Sequence, residues 1–212
     1  MIKKPDLKSG FFLWIKFCLM ILCDNFLLIH FFRKIMQPLK YRLANASDVE
    51  SLVALINQAY RTHTDSSWTS EQKIVAGDRI NHQQLLESLN QQNFSLFVAE
   101  MVEDLETALV ACIGLSFQQN SVEIGTFCVA SDWQNQGIGK HVLKYAEKMA
   151  LERCPTLSHY EMWVLDARTE LIQYYERCGY SKTACIESYP IHSNVGQPLI
   201  DLRLQHMSKS IS

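Results

Sequence analysis

Ser121 to Val129 reads as a strand. A few residues later the chain enters Gln134-Asn135-Gln136-Gly137-Ile138-Gly139-Lys140, and from there an apolar stripe at helical spacing (Ile138, Val142, Tyr145, Ala146, Met149) begins. A glycine loop between a strand and a helix constrains both architecture and ligand. The first amides of a helix have no intrahelical partners, and the macrodipole adds roughly half a positive charge there. Together they make a site for phosphate, and the glycines at 137 and 139 leave room for a pyrophosphate to approach the backbone. A Walker A loop is excluded, because Lys140 is followed by His141, and the GxGxxG dinucleotide fingerprint is absent. Taken alone, the two glycines are also compatible with a strand-to-helix turn that binds nothing.

The rest of the chain supplies a frame for that loop. Strands are expected at Leu39 to Ala44, Phe94 to Met101, Thr107 to Gln118, His159 to Leu165, around Tyr180 to Glu187, and at Leu199 to Leu204. Ser47-x-x-Glu50 has capping-box spacing and opens an amphipathic helix from Asp48 to Tyr60. Thr69-x-x-Gln72 is expected to cap a short helix, and Asn81 another that runs to about Asn90. The glycine loop opens a long helix from about Gly137 to Glu152, and Arg168 to Arg177 forms a last helix stopped at Gly179. Apart from the short helix capped at Thr69, the order β-α-α-β-β-β-α-β-α-β-β is a mixed α/β layer architecture.

Composition narrows the function classes. The formal net charge is −2; six basic and two acidic residues fall in the first 35, so the remainder carries −6. A mildly acidic body argues against nucleic acid as a partner. The seven cysteines are scattered, with no CxxC and no Cys/His cluster at zinc spacing, so neither a disulfide framework nor a metal site is indicated. Cys112, Cys128 and Cys178 read as small buried hydrophobes, and a reducing cytoplasm is the expected location.

Residues 11–32 form a separate puzzle. The run is apolar and long enough to span a bilayer, yet Lys16, Asp24, Asn25 and His30 interrupt it. It reads in three ways: a single-span anchor that leaves the catalytic domain in the cytoplasm, an interfacial or disordered extension, or residues upstream of a natural start at Met36. The last is preferred, because Met36-Gln37-Pro38-Leu39-Lys40 leads directly into the first strand. The expected organisation is an extension over 1–35 and one domain over 36–212.

Val129-Ala130-Ser131-Asp132-Trp133-Gln134-x-x-Gly137-x-Gly139-Lys140 resembles the acetyl-CoA signature of the GNAT superfamily, (Arg/Gln)-x-x-Gly-x-(Gly/Ala). Leu171-Ile172-Gln173-Tyr174-Tyr175-Glu176-Arg177-Cys178-Gly179-Tyr180 is similar to the family's later (Phe/Leu)-Tyr-Glu-(Arg/Lys)-x-Gly-(Phe/Tyr) segment, and the two are separated by a helix and a strand as in the family. The likeness covers roughly Leu39 to Ile211. It implies a central mixed, mostly antiparallel sheet of about seven strands flanked by about four helices. It also implies acetyl-CoA as co-substrate with no metal, and an amine of a small molecule or peptide as acceptor. A homodimer is left open.

The resemblance further implies residue roles. The pantetheine arm would lie along Phe127, Cys128 and Val129, and the pyrophosphate on the amides of Gln136, Gly137, Ile138, Gly139 and Lys140, with Gln134 bracing the loop. Many members carry Asn seven residues before the motif tyrosine; here Arg168 stands there, able to reach a phosphate or to pair locally with Glu170 or Asp166. A main-chain amide near Val129 would hold the oxyanion, and Tyr175 sits at the family's general acid. Glu123, fourteen residues before Gly137, has the spacing of the catalytic glutamate of histone-type members and is the candidate base, with a bound-water chain as the alternative.

Trp68, Glu71 and Arg79 fall in the segment that lines acceptor pockets in such proteins, and rank lower. His63, His82, His141 and His192 have no spacing for a triad or metal site and read as surface residues. The competing reading is a non-catalytic acyl-CoA-binding or regulatory module. A third, a toxin-type or membrane-linked acyltransferase, rests on residues 11–32 alone.

Overall fold

The computed structural model describes residues 39–62, 70–103 and 106–211. Residues 39–101 and 107–212 form one compact unit, and the fold below is that unit's. The apolar run over 11–32, the Met36 start, Trp68, His63 and the Thr69 cap all lie outside the described residues. Among those described, no helix is long and apolar enough to cross a membrane.

Seven strands make one sheet: β1 (Lys40–Leu43), β3 (Phe94–Glu103), β4 (Glu106–Phe117), β5 (Ser121–Val129), β6 (His159–Leu165), β7 (Ser181–Ser188) and β9 (Arg203–Ser210). Their order across the sheet is β1-β3-β4-β5-β6-β9-β7, and β5–β6 is the parallel pair in an otherwise mostly antiparallel arrangement. A second, two-stranded sheet joins β2 (Val75–Ala76) to β8 (Gln197–Pro198). Four helices complete the unit: α1 (Val49–Arg61), α2 (His82–Leu89), α3 (Ile138–Arg153) and α4 (Thr169–Arg177).

The helices split the core in two. One cluster joins Leu52, Ile56 and Leu85 of α1 and α2 to Leu96, Val98, Cys112 and Cys128 of the sheet. The other joins Val142, Ala146 and Ala150 of α3 and Ile172 of α4 to Ile113, Leu115, Val122 and Ile124. The period of 3.6 on each helix and of 2 on each strand produces this sorting.

Three local expectations change. The first helical turn is capped by Asn45 rather than Ser47: Asn45 Oδ1 accepts from the Ser47 amide at 2.8 Å, and the Asn45 amide donates to Asp48 at 2.8 Å. Asp48 is fixed as well by a fork from Arg42, whose Nη1 and Nη2 donate at 2.7 and 2.8 Å, which leaves Ser47 inside a short 3₁₀ turn. Residues 72–74 form a turn into β2 instead of a helix. The last strand begins at Arg203, not Leu199; Leu199 and Ile200 stay about half exposed in the connection. β9 lies inside the sheet, between β6 and β7, yet carries a polar sequence. Gln205 is buried there, and its amide donates at 2.9 Å to the Thr183 carbonyl, at an irregularity in β7 between Lys182 and Ile186. The cap at Asn81 forms as expected, with Asn81 and Gln84 each satisfying the other's backbone amide.

Candidate active site

Two departures from regular pairing open the middle of the sheet. In β5, Cys128 faces Cys112 and Gly125 faces Gly114, so two residues, Thr126 and Phe127, stand opposite Ile113 alone. This is a β-bulge, and Thr126 takes a positive φ of 46° within it. The bulge inverts the alternation: Val122 and Ile124 pack on the α3 side, whereas Cys128 packs on the α1 side and Phe127 and Val129 lean toward α3. On the other edge, β5 pairs with β6 through Ser121↔His159, Val122↔Tyr160 and Glu123↔Glu161, and pairing stops there although both strands continue. The strands part just after Glu123.

The glycine loop closes the gap at its far end. Gln134 is buried, and its side-chain amide donates to the Val129 carbonyl at 3.0 Å, which ties the loop to the end of β5. Asn135 and Gly137 are left-handed, with φ of 60° and 78°. Gly137 serves this positive φ and not a need for room, since a Cβ there would meet nothing within 4 Å. Gly139 is needed for room: a Cβ there would lie 3.3 Å from Tyr174 Oη and 3.7 Å from the Phe127 ring.

A cavity of about 530 Å³ runs through this gap. Phe127, Cys128 and Val129 form one wall, Gln134, Gly137, Gly139 and Lys140 another, and Arg168, Tyr174 and Tyr175 of the α4 segment a third. Gln136 and Ile138 do not line it. The Gln136 side-chain Nε2 donates to the Asp132 carbonyl at 3.0 Å, and Ile138 is buried beneath the loop. Glu123 does not line it either; its carboxyl sits at the vertex where the strands part, half-buried beside Glu161. Burial pushes that carboxyl above the ordinary carboxylate range, Glu161 and Glu187 add to the rise, and His206 opposes it.

Tyr175 is buried and packs edge-on against Tyr174 and Tyr180, with ring centroids 5.3 and 6.0 Å away. Burial pushes its phenol above the ordinary value, so it carries its proton at neutral pH. Arg168 is buried and its Nε donates to Glu170 at 2.9 Å, whereas Asp166 pairs with Arg203 instead. Cys112 and Cys128 are buried as expected, but Cys178 is only half-buried at the end of α4. His82, His141 and His192 are exposed.

Two lining residues carry more than the sequence reading gave them. Tyr60 stood there only as the end of an apolar helix face; its hydroxyl donates to the Phe127 carbonyl at 3.0 Å. Glu71, ranked low, is a buried carboxylate in the cavity wall. An aromatic at a helix end aimed into a sheet, and a lone acid in a turn, have no periodic signature.

The sequence matches the model of the acetyltransferase (GNAT) family over residues 54–180. The chain belongs to the GNAT acetyltransferase family. Acetyl-CoA is the co-substrate of that family. Solved structures with the same fold include the ribosomal-protein-S18-alanine N-acetyltransferase of Escherichia coli, at 15% identity and a TM-score of 0.57 over 82% of this chain and 95% of that one. The ribosomal-protein-alanine N-acetyltransferase of Brucella melitensis is 22% identical, with a TM-score of 0.58 over 81% and 99% of the two chains. The spermidine/spermine N-acetyltransferase SpeG of Vibrio cholerae is 15% identical, with a TM-score of 0.56 over 83% and 94%. A search of curated proteins gives no significant match to this GNAT chain. Among its described residues no cluster of three or more His, Cys, Asp or Glu is arranged to hold a metal ion.

Proposed function

We propose that this GNAT protein moves the acetyl group of acetyl-CoA to a primary amine of a small molecule or peptide. The observation that carries the reading is one continuous cavity joining the Gly137 loop, the Phe127–Val129 stretch and Tyr175. In this reading the amides at the head of α3 hold the pyrophosphate and Lys140 adds charge, as expected of a helix N-terminus. Arg168, already paired with Glu170, lines the phosphate end. The pantetheine arm lies along Phe127–Val129, where the carbonyls of Phe127 and Val129 are already engaged by Tyr60 and Gln134.

The chemistry needs three proton movements. An alkyl ammonium has a pKa of about 10.4 in water, so a proton must leave before nitrogen attacks. Glu123 takes that proton as base, from the vertex of the strand gap, through water, and passes it to solvent. As the C–N bond forms and the C–S bond breaks, Tyr175 gives its proton to the departing thiolate, and the second proton of the attacking nitrogen returns through water to the phenolate, leaving a neutral amide. Burial raises Glu123 and keeps Tyr175 protonated, the directions each role requires. Free thiols at Cys112, Cys128, Cys154, Cys178 and Cys185 suit a reducing cytoplasm.

The test is release of CoA thiol with a panel of primary amines and peptide amino termini, the acetylated product being identified by mass. Tyr175→Phe should lower kcat by about 10²-fold with acetyl-CoA affinity unchanged. Tight acetyl-CoA binding with no transfer to any acceptor would instead favour a non-catalytic binding module.

A further inference from the structure

Glu71 is a buried carboxylate that the mechanism does not use. It is 8% exposed and lines the cavity with Tyr60, Cys128 and Tyr175. A carboxylate is expensive to bury unless it is paired, and here the partner is Arg61, whose Nη1 donates to Glu71 Oε2. Arg61 is itself fixed: Nε donates to the Gly77 carbonyl at 2.8 Å and Nη2 to the Val195 carbonyl at 2.7 Å. Arg61 does not line the cavity, so the pair presents only its anionic member to that space. The Glu71 backbone is held too. Its amide donates to the Tyr60 carbonyl at 2.7 Å, and its carbonyl accepts from Ile74 and Val75 at 2.9 Å each.

The cavity is therefore polar in charge. Lys140, Arg168 and Arg177 come from the glycine loop and the α4 segment. Glu170 is spent on Arg168 and its side chain is 54% exposed. Glu71 adjoins Tyr60, whose hydroxyl reaches the Phe127 carbonyl, so it meets the cavity from the α1 side; Arg79, 5.5 Å over the Tyr60 ring, does not line the cavity. The cations of the glycine loop and the α4 segment suit phosphates. A rigid, desolvated anion on the α1 side suits a positively charged head group, which gains strength from the low dielectric of the site.

We propose that Glu71 is the acceptor-recognition carboxylate of this protein, and that its ligand is an alkylammonium group, carried by an aliphatic amine or by a peptide amino terminus. The assignment rests on the acetyl-transfer reading above. Glu71 binds the ammonium form and orients it; it takes no proton in the transfer.

The experiment uses the full chain and compares wild type, Glu71→Gln and Glu71→Asp. Three acceptors are needed: 1,4-diaminobutane, a short peptide with a free amino terminus, and aniline, which is neutral at pH 7. Glu71→Gln should raise KM for the alkylammonium acceptors by about tenfold or more, the equivalent of one charge-assisted hydrogen bond. KM for acetyl-CoA and for aniline should not move, and Glu71→Asp should restore part of the loss. The two charged acceptors show whether a small amine or a peptide is the better source. An equal rise for charged and neutral acceptors, or no rise at all, overturns the assignment and leaves acetyl transfer standing. If Glu71→Gln does not fold, the selective KM effect must appear in Glu71→Asp, and its absence there overturns the assignment. If wild type transfers to no acceptor, the acetyl-transfer reading falls, and calorimetry of 1,4-diaminobutane with the CoA-saturated protein decides Glu71. Binding lost in the variant supports it, and equal or absent binding overturns it.

Discussion

The Tyr60 hydroxyl hydrogen-bonds the Phe127 carbonyl at 3.0 Å, at the bulge in β5, and so ties the end of α1 to the strand that forms the cavity wall. Burial raises the phenol, so the group stays a donor at working pH. Tyr60→Phe removes the hydroxyl and leaves a part-buried carbonyl without this donor. The expected loss is about 1 kcal/mol of stability, read as a shift of about 2–4 °C in Tm. The bulge also gains freedom, so KM for acetyl-CoA should rise severalfold. An unchanged KM would mean that the bulge is held by β4 alone.

The two loop glycines should fail differently. Gly137→Ala meets no neighbour, but φ of 78° is strained for any side chain, so about 1 kcal/mol of stability should be lost. Gly139→Ala gains helix propensity of up to about 1 kcal/mol, yet its methyl would sit 3.3 Å from Tyr174 Oη in the cavity wall. Its Tm should hold or rise while acetyl-CoA binding, followed by calorimetry, weakens by about tenfold, the equivalent of displacing one well-packed wall group. A Tm loss at 139 as large as that at 137 would show that the methyl cannot be accommodated beside Tyr174, and an unchanged acetyl-CoA affinity would remove Gly139 from the binding wall.

Much of this was legible in the residues. Helical spacing and caps gave α2, α3 and α4 to within about two residues, and the spacing of the two GNAT segments gave the order of strand, loop and helix around the cavity. What stayed hidden has a common cause. The bulge at Thr126 and Phe127 changes which face Cys128 presents, and no periodicity marks the change because every residue from Val122 to Val129 is compatible with a strand. β9 begins later than expected because an inner strand carrying Gln205 and His206 looks polar until the irregular β7 that Gln205 serves is known. Glu71 and Tyr60 meet the site through tertiary contacts alone.

Glu147 of α3 anchors the far side of the packing around Tyr175. Lys209 Nζ donates to both of its carboxylate oxygens at 2.8 Å and Tyr180 Oη to one of them at 2.8 Å. Tyr180 in turn packs edge-on against Tyr175. Glu147→Leu strands an ammonium and a buried phenol, and should lower stability by about 2–3 kcal/mol, somewhat below a fully buried pair because Lys209 is partly exposed. Tyr175 loses a fixed neighbour, so kcat should fall with little change in KM for acetyl-CoA. Chemical denaturation and steady-state kinetics on the same preparation check both. A full stability loss with unchanged kcat would show that Tyr175 is held by Tyr174 and the core alone.

Glu123 makes opposite demands on stability and on turnover. Its carboxyl is raised above its ordinary 4.5, first by burial and then by Glu161. A raised carboxyl favours the protonated form in the folded state, so the stability it contributes is full below the unfolded value and is lost as pH rises through the folded one. Glu123→Gln cannot ionise and escapes that loss. The variant's advantage in Tm over wild type should therefore be absent near the ordinary carboxylate value and should grow toward neutral pH. Under the proposed role turnover runs the other way, because a base works only when ionised. In wild type the acid limb of kcat/KM should lie above the ordinary carboxylate value, and Glu123→Gln should lower turnover and flatten that limb. A variant that gains stability at neutral pH but keeps the wild-type limb would identify Glu123 as a buried carboxyl beside the reaction, and would assign the proton transfer to water.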